Sequence, residues 1–199
     1  MAGIIQGIFD FFHALGPWYS LLVLFIIVFL DAIVFPVGPE LFAIVIFADN
    51  RTALWAAALL LVVASAQVGG TSFLYWLGKN MRSPKRMKGF SARIKKIMQN
   101  YQKFLFIRDE RIILVNCFVP VLPFLGAFIA VSDWSYKRSM AYVAAGGALK
   151  YGVYLSLSVM FFSLFENGVA QKASLVAVLI LLCISGAYAF LKRKKLLEK

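Results

Sequence analysis

The sequence predicts an all-α integral membrane protein: an inverted repeat with two facing re-entrant helical hairpins, about three full transmembrane helices and amphipathic interfacial helices. Apolar residues make up 62% of the 199 positions and the mean hydropathy is +0.82, well above a soluble domain. Prolines interrupt two of the apolar stretches. Of 21 lysines and arginines, eleven lie between Lys79 and Arg111 and five between Lys192 and Lys199. Basic clusters beside apolar spans are typical of cytoplasmic segments that touch anionic headgroups, so the net charge of +12 does not indicate a nucleic-acid partner.

The first element, residues 1–16, is predicted to be an interfacial helix. Gln6, Asp10 and His13 share one face at helical spacing, and apolar residues cover the remainder. His13 is the only histidine, and an interfacial place is favoured for it over a proton-relay role.

Residues 18–48 are predicted to form the first re-entrant hairpin. The thirteen residues from Trp18 to Leu30 cover only about 20 Å, less than the ~30 Å hydrocarbon core. The tip contains Pro36, Gly38 and Pro39, which interrupt helical hydrogen bonding. Asp31 and Glu40 flank this tip, and each carboxylate at bilayer depth costs at least ~2.5–3.5 kcal/mol, which calls for a wet or protein-lined cavity.

Residues 52–77 are predicted to cross the membrane. The span contains small and polar residues suited to cavity lining or close helix packing, namely Gln67, Gly69, Gly70 and Thr71. Gly78 is the predicted helix end. Residues 79–110 follow as a basic cytoplasmic loop, in which Ser91 to Leu105 has the period of an amphipathic helix. That helix either rests on the membrane surface or binds a partner.

Residues 112–131 are predicted to form the second re-entrant hairpin, with Pro120 and Pro123 at its tip. Two further spans, 139–165 and 173–191, precede the basic tail 192–199. If both basic clusters are cytoplasmic, the intervening chain crosses the membrane an even number of times, and two spans plus a re-entrant hairpin satisfy that condition.

The two halves share an order of features. Each has a Pro-x-x-Pro interruption followed by a span with a Gly-Gly pair, and in the second half this span contains Gly146, Gly147, Lys150 and Tyr151. Inverted repeats of this kind form transport sites where their broken helices meet near the midplane.

Three charged residues are the predicted substrate or proton-coupling site. Lys150 falls near mid-depth, so it is expected to face the first hairpin and pair with Asp31 or Glu40. A purely structural ion pair remains open for Lys150, and fold-stabilising hydrogen bonds remain open for the two acids.

Four stretches between Trp18 and Tyr151 resemble motifs of the DedA family, the membrane proteins related to SNARE-associated Golgi and VTT-domain proteins. They run from Asp31 to Glu40, from Gly70 to Lys79, from Phe118 to Pro120 and from Asp133 to Arg138. The resemblance implies two facing re-entrant loops and movement of lipids or lipid phosphates across the bilayer, with or without proton coupling. It places the two arginines of that family at Cys117 and Pro123, so this chain lacks the family's bidentate phosphate clamp.

The expected function is therefore that of a membrane transporter or scramblase for lipids or lipid-linked phospholipid substrates. The alternative is a non-transporting scaffold or assembly factor that acts through its amphipathic helix. An enzyme is not expected, because the sequence has no Ser/His/Asp set, no metal-like spacing of cysteine or histidine and no cofactor motif. The expected partners are membrane lipids and anionic headgroups, with a homo-oligomer allowed, in a multi-pass cell-membrane protein whose basic loop and C-terminus are cytoplasmic.

Overall fold

The computed structural model describes residues 2–33, 38–80, 109–118, 122, 124–132 and 134–164, together with the single positions 176, 180 and 183. Within these ranges the secondary structure is helical and contains no strand. This confirms the all-α class for the described part. The helices are α1 Ala2–Leu15, α2 Pro17–Ile33, α3 Pro39–Asp49, α4 Ala53–Asn80, α5 Ile112–Phe118, α6 Leu125–Val131 and α7 Tyr136–Leu164.

Two of these helices, α4 and α7, are long and apolar enough to cross a membrane. Both extend beyond the predicted spans. Helix α4 continues through Gly78 to Asn80, so the prediction that Gly78 ends the helix is wrong. A side chain at Gly78 would meet Ala127 and Ala130 at 3.2–3.3 Å, so this glycine allows α6 to approach α4 closely.

Helix α7 begins at Tyr136, three residues before the predicted start. Its first turn therefore includes Lys137 and Arg138, which the sequence predicts to lie in a connecting segment. The backbone N–H of Ser135 donates to Glu110 Oε1 at 2.7 Å, which provides an acceptor just before the helix starts.

The first predicted interruption is present, since α2 ends at Ile33 and α3 begins at Pro39. Gly38 adopts the left-handed conformation, with φ 73° and ψ 50°, which glycine reaches without steric cost. Pro39 occupies the first helical position, where its missing N–H leaves no hydrogen bond unmade. Pro36 lies outside the described residues.

The second predicted interruption is present as well, between the end of α5 at Phe118 and the start of α6 at Leu125. Phe124, immediately before α6, is also left-handed, with φ 50° and ψ 56°. The second short helix of each half thus begins after a left-handed residue. Pro120 and Pro123 lie outside the described residues.

From α2 onwards, the described helices follow the order short, short, long twice along the chain. In each half the first short helix packs along the long helix of its own half, α2 on α4 and α5 on α7. The second short helix contacts the long helix of the other half, so that α6 packs along α4 and α3 contacts α7. The two halves therefore interlock.

Two clusters of buried side chains can be described within the residues given above. The larger joins α1, α2, α3 and α4 to the part of α7 around Tyr151, and the smaller joins α5 and α6 to the part of α7 around Val143. Helix α1 belongs to the larger cluster because Phe12 is buried and packs against Phe42, with ring centroids 5.9 Å apart.

His13, at the end of α1, lies 3.9 Å from Asp49 at the end of α3. Burial raises the pKa of Asp49, and the nearby His13 partly opposes that rise. Glu40 occupies the other end of α3. The predicted amphipathic helix from Ser91 to Leu105 and the tail 192–199 lie outside the described residues, as does the span 173–191 apart from its three single positions.

Candidate functional site

A buried ion pair joins the two halves of the chain. Glu40 lies in the first turn of α3 and its side chain is 3% exposed. Lys150 lies midway along α7, with a side chain 14% exposed, and its Nζ pairs with Glu40 Oε1. The predicted contact between Lys150 and an acid of the first hairpin is therefore confirmed, and Glu40 is the acid.

Aromatic side chains surround this pair. Lys150 Nζ lies 5.7 Å from the ring centroid of Tyr151, within the range of a cation–π interaction. Tyr151 is 1% exposed, and its ring meets that of Tyr154 edge to face at 6.5 Å. Asp31, at the end of α2, interacts electrostatically with both Lys150 and Tyr151. The site therefore combines two acids, one cation and two phenols.

Three oxygens around the pair are buried and have no hydrogen-bond partner among the described residues. They are Glu40 Oε2, the Tyr151 hydroxyl and Gln67 Oε1. Buried polar groups in proteins are nearly always hydrogen-bonded, so oxygens of this kind are acceptors available to a proton, a water molecule or a donor on a ligand.

Gln67 connects α4 to this region. Its side-chain oxygen contacts Gly147, which lies one helical turn before Tyr151 on α7. Any side chain at Gly147 would collide with that amide. The predicted site residues Gln67, Gly147, Lys150 and Tyr151 are thus brought together from two long helices.

The remaining predicted glycines serve close packing. A side chain at Gly70 would meet the Phe29 carbonyl oxygen at 2.6 Å, and one at Gly146 would meet Cys117 Sγ at 2.6 Å. Gly69 lies against the Phe29 ring.

Thr71 is buried, and its backbone carbonyl contacts Gly126 of α6. Of the predicted tip residues, Gly38 and Pro39 adjoin Glu40 directly in the chain.

The sequence does not identify two further residues of this site, Tyr154 and Cys117. Tyr154 lies one turn after Lys150 on the same helix face and interacts electrostatically with it and with Glu40. The sequence feature that indicates its place in the site is its position four residues after Lys150. Cys117 packs against Gly146 and interacts electrostatically with Lys150. No sequence signal placed α5 at that point on α7.

A metal centre has no support in the part of the chain that the structure describes, where no three histidine, cysteine or acidic side chains form a group able to hold a metal ion. The described part of the site instead contains a buried pair of opposite charges, Glu40 and Lys150, with Tyr151 and Tyr154 beside it.

Comparison with known proteins adds no family to these observations. No protein-family model, no curated protein and no solved structure matches this chain.

Proposed function

We propose that this chain is a membrane transporter or scramblase that moves lipids or lipid-linked phospholipid substrates across the bilayer. The observation that carries the proposal is the Glu40–Lys150 pair, buried in an apolar bundle between α3, which follows the first interruption, and the long helix α7. Ionisable residues at such positions are costly and mark substrate or ion pathways. The resemblance to the DedA family is the reason for choosing lipids as the substrate class.

A membrane location is supported by the outward surface as well as by the two long apolar helices. Trp18, Leu54 and Leu61 are each more than 70% exposed, on α2 and α4. Soluble monomers rarely expose large apolar patches, whereas lipid tails cover such side chains at no cost. We place the chain in the cell membrane with the basic loop and C-terminus cytoplasmic.

The inverted repeat is part of the proposal. It is supported by the repeated order of short and long helices and by the left-handed residues before α3 and α6. It is also supported by the contacts of α3 with α7 and of α6 with α4, each of which joins one half to the other. In this arrangement α3 and α6 belong to two re-entrant hairpins that enter from opposite faces, and the Glu40–Lys150 pair lies at their common depth.

Charge conservation at the pair suggests how a proton would be coupled to the substrate. The pair is neutral as a unit. An anionic headgroup that binds Lys150 displaces Glu40, and a proton taken up by Glu40 then keeps the site neutral. Entry of one monoanionic headgroup would thus accompany one proton. In the resembled family an arginine occupies the position of Cys117. Lys150 interacts electrostatically with Cys117, so it would supply a cation near that position.

Reconstitution into liposomes that carry labelled lipid in one leaflet tests this function. We expect lipid movement well above protein-free liposomes, a large loss in Lys150→Met and Glu40→Gln, and acceleration by a proton gradient. Arg111→Met, which removes an exposed cation paired with Asp109 at 3.6 Å, is the control and should retain the wild-type rate. Wild-type protein that moved no lipid, or Lys150→Met protein with an unchanged rate, would contradict the proposal.

A further inference from the structure

A groove of about 520 Å³ opens on the outer surface where α2, α4 and α7 meet. Its lining consists of α4 residues between Gly69 and Trp76, together with Phe29 of α2 and Tyr136 of α7. The hydroxyl groups of Ser72 and Tyr136 lie 2.8 Å apart and hydrogen-bond to each other. The groove therefore offers a mainly apolar surface to a ligand.

The groove and the helical turn that follows it together cover about one membrane leaflet. The α4 residues that line the groove run from Gly69 to Trp76, a rise of about 10 Å. Gly69 lies in the central region of α4, and Lys79 lies ten residues further on, next to the last residue of the helix. At 1.5 Å per residue this distance is about 15 Å, or half of a ~30 Å hydrocarbon core. A chain lying along the groove would thus reach from mid-depth to the interface.

The lysines near this groove lie at its interfacial end. Lys79 follows Trp76 by three residues, so it continues the same face of α4, and it is exposed. Lys137 is exposed in the first turn of α7, and the Tyr75 and Tyr136 rings, 4.8 Å apart, bring the two helix ends together. Trp76 is 61% exposed at this level, as expected of an interfacial tryptophan.

We infer that this groove binds one acyl chain of an anionic phospholipid from the leaflet on the basic side, with the lipid phosphate at Lys79 and Lys137. The occupant is a resident lipid that remains in its own leaflet, at a place separate from the Glu40–Lys150 pair. The volume lies within the ~300–1,000 Å³ typical of ligand sites. The apolar lining suits the acyl chain, and two cations just beyond one end of it select a negative headgroup. The inference rests on the membrane location included in the proposed function.

The chain provides a matched control groove. A second surface groove of about 480 Å³ follows α7 from Ala148 to Met160 and contains Gly152. Its lining includes no lysine or arginine. The added methyl group of an alanine at Gly152 would meet no atom within 4 Å.

Native mass spectrometry of the full-length protein, with phosphatidylglycerol or phosphatidylcholine added, tests the inference. We expect wild type and Gly152→Leu to hold one phosphatidylglycerol, and Gly69→Leu, which fills the first groove, to lose at least fivefold in bound lipid. The double variant Lys79→Gln/Lys137→Gln changes exposed residues and should fold normally. It should bind both lipids equally, whereas Arg111→Gln should keep the preference for phosphatidylglycerol.

Equal binding of both lipids by wild type, or an unchanged preference in the double lysine variant, would overturn the inference. Retention of the bound lipid by folded Gly69→Leu would do the same. The lipid-movement assay keeps the two proposals apart. Protein that moves lipids but holds no phosphatidylglycerol contradicts only the resident-lipid site, and protein that holds the lipid but moves none contradicts only the transport function.

Discussion

Replacing Lys150 with methionine removes the cation of the buried pair while retaining much of the length of the side chain. Glu40, with a 3% exposed side chain, is then left buried with its charge uncompensated by its ion-pair partner. Removing one member of a buried ion pair typically costs about 3–5 kcal/mol. Because proteins are stable by only about 5–15 kcal/mol, we expect Lys150→Met to lose a large fraction of its stability.

The second member of the pair provides the decisive comparison. In Glu40→Leu/Lys150→Met both charges are replaced by apolar groups, a change that is often neutral or stabilising by about 1–4 kcal/mol. The double variant should therefore be more stable than Lys150→Met alone. A coupling free energy of several kcal/mol between the two positions would be the signature of the pair.

Reversible unfolding in mixed detergent micelles, followed by circular dichroism, measures these differences. Arg111→Met is the control for loss of a cation, because its pair with Asp109 is exposed and should be worth about 0–1 kcal/mol. Independent, additive effects of the substitutions at Glu40 and Lys150 would refute the reasoning, as would full stability of Lys150→Met.

The charge-swapped variant Glu40→Lys/Lys150→Glu separates a structural pair from a transport site. We expect the swap to restore part of the stability that either single change removes, because the attraction is retained. Lipid movement should remain lost, because the cation has moved from α7 to α3 and no longer meets the substrate in the same surroundings. Recovery of both properties would assign the pair a structural role alone.

Three further expectations follow from the fold. Gly70→Leu should destabilise the protein by about 1–3 kcal/mol or more in the same unfolding assay, because the new side chain meets the Phe29 carbonyl oxygen, whereas Gly152→Leu should change stability far less. Phe124→Gly should stabilise by about 1 kcal/mol, because a non-glycine residue in the left-handed region costs about 1–2 kcal/mol and this side chain is 56% exposed; an unchanged midpoint would contradict the assigned strain. Deleting residues 91–105 should alter the rate of lipid movement in liposomes without abolishing it, and complete loss would contradict a merely modulating role for this segment.

Features with a local physical cause were predictable from the sequence. The interruption before α3 follows from two prolines and a glycine, each of which acts on its own stretch of backbone. The cost of an isolated charge at mid-depth required a partner for Lys150 and limited the choice to two acids. Which acid contacts Lys150 depends on how α3 packs against α7 in space, and the residue pattern does not show that packing.

Helix ends and contacts between distant elements were less predictable. Gly78 has the composition of a helix end, yet packing of α6 against α4 gives this glycine another use and the helix continues past it. The placement of Cys117 beside Gly146 depends on how α5 lies along α7. The sequence around Gly78 or Cys117 does not indicate which residue it contacts, because each contact joins positions far apart in the chain.

The interlocking of the halves has a consequence for biosynthesis. Lys150 is 110 residues beyond Glu40, so at a synthesis rate of about 5–20 residues per second α3 emerges about 5–20 s before the helix that carries its ionic partner. In the proposed membrane setting, Glu40 would have to be protonated or remain at the aqueous interface during that interval. If synthesis stops before α7, Glu40 of α3 lacks Lys150, and α4 lacks the helix α7 that it contacts in the second half. The contact that forms the candidate site is therefore also one that only a chain synthesised through α7 can make.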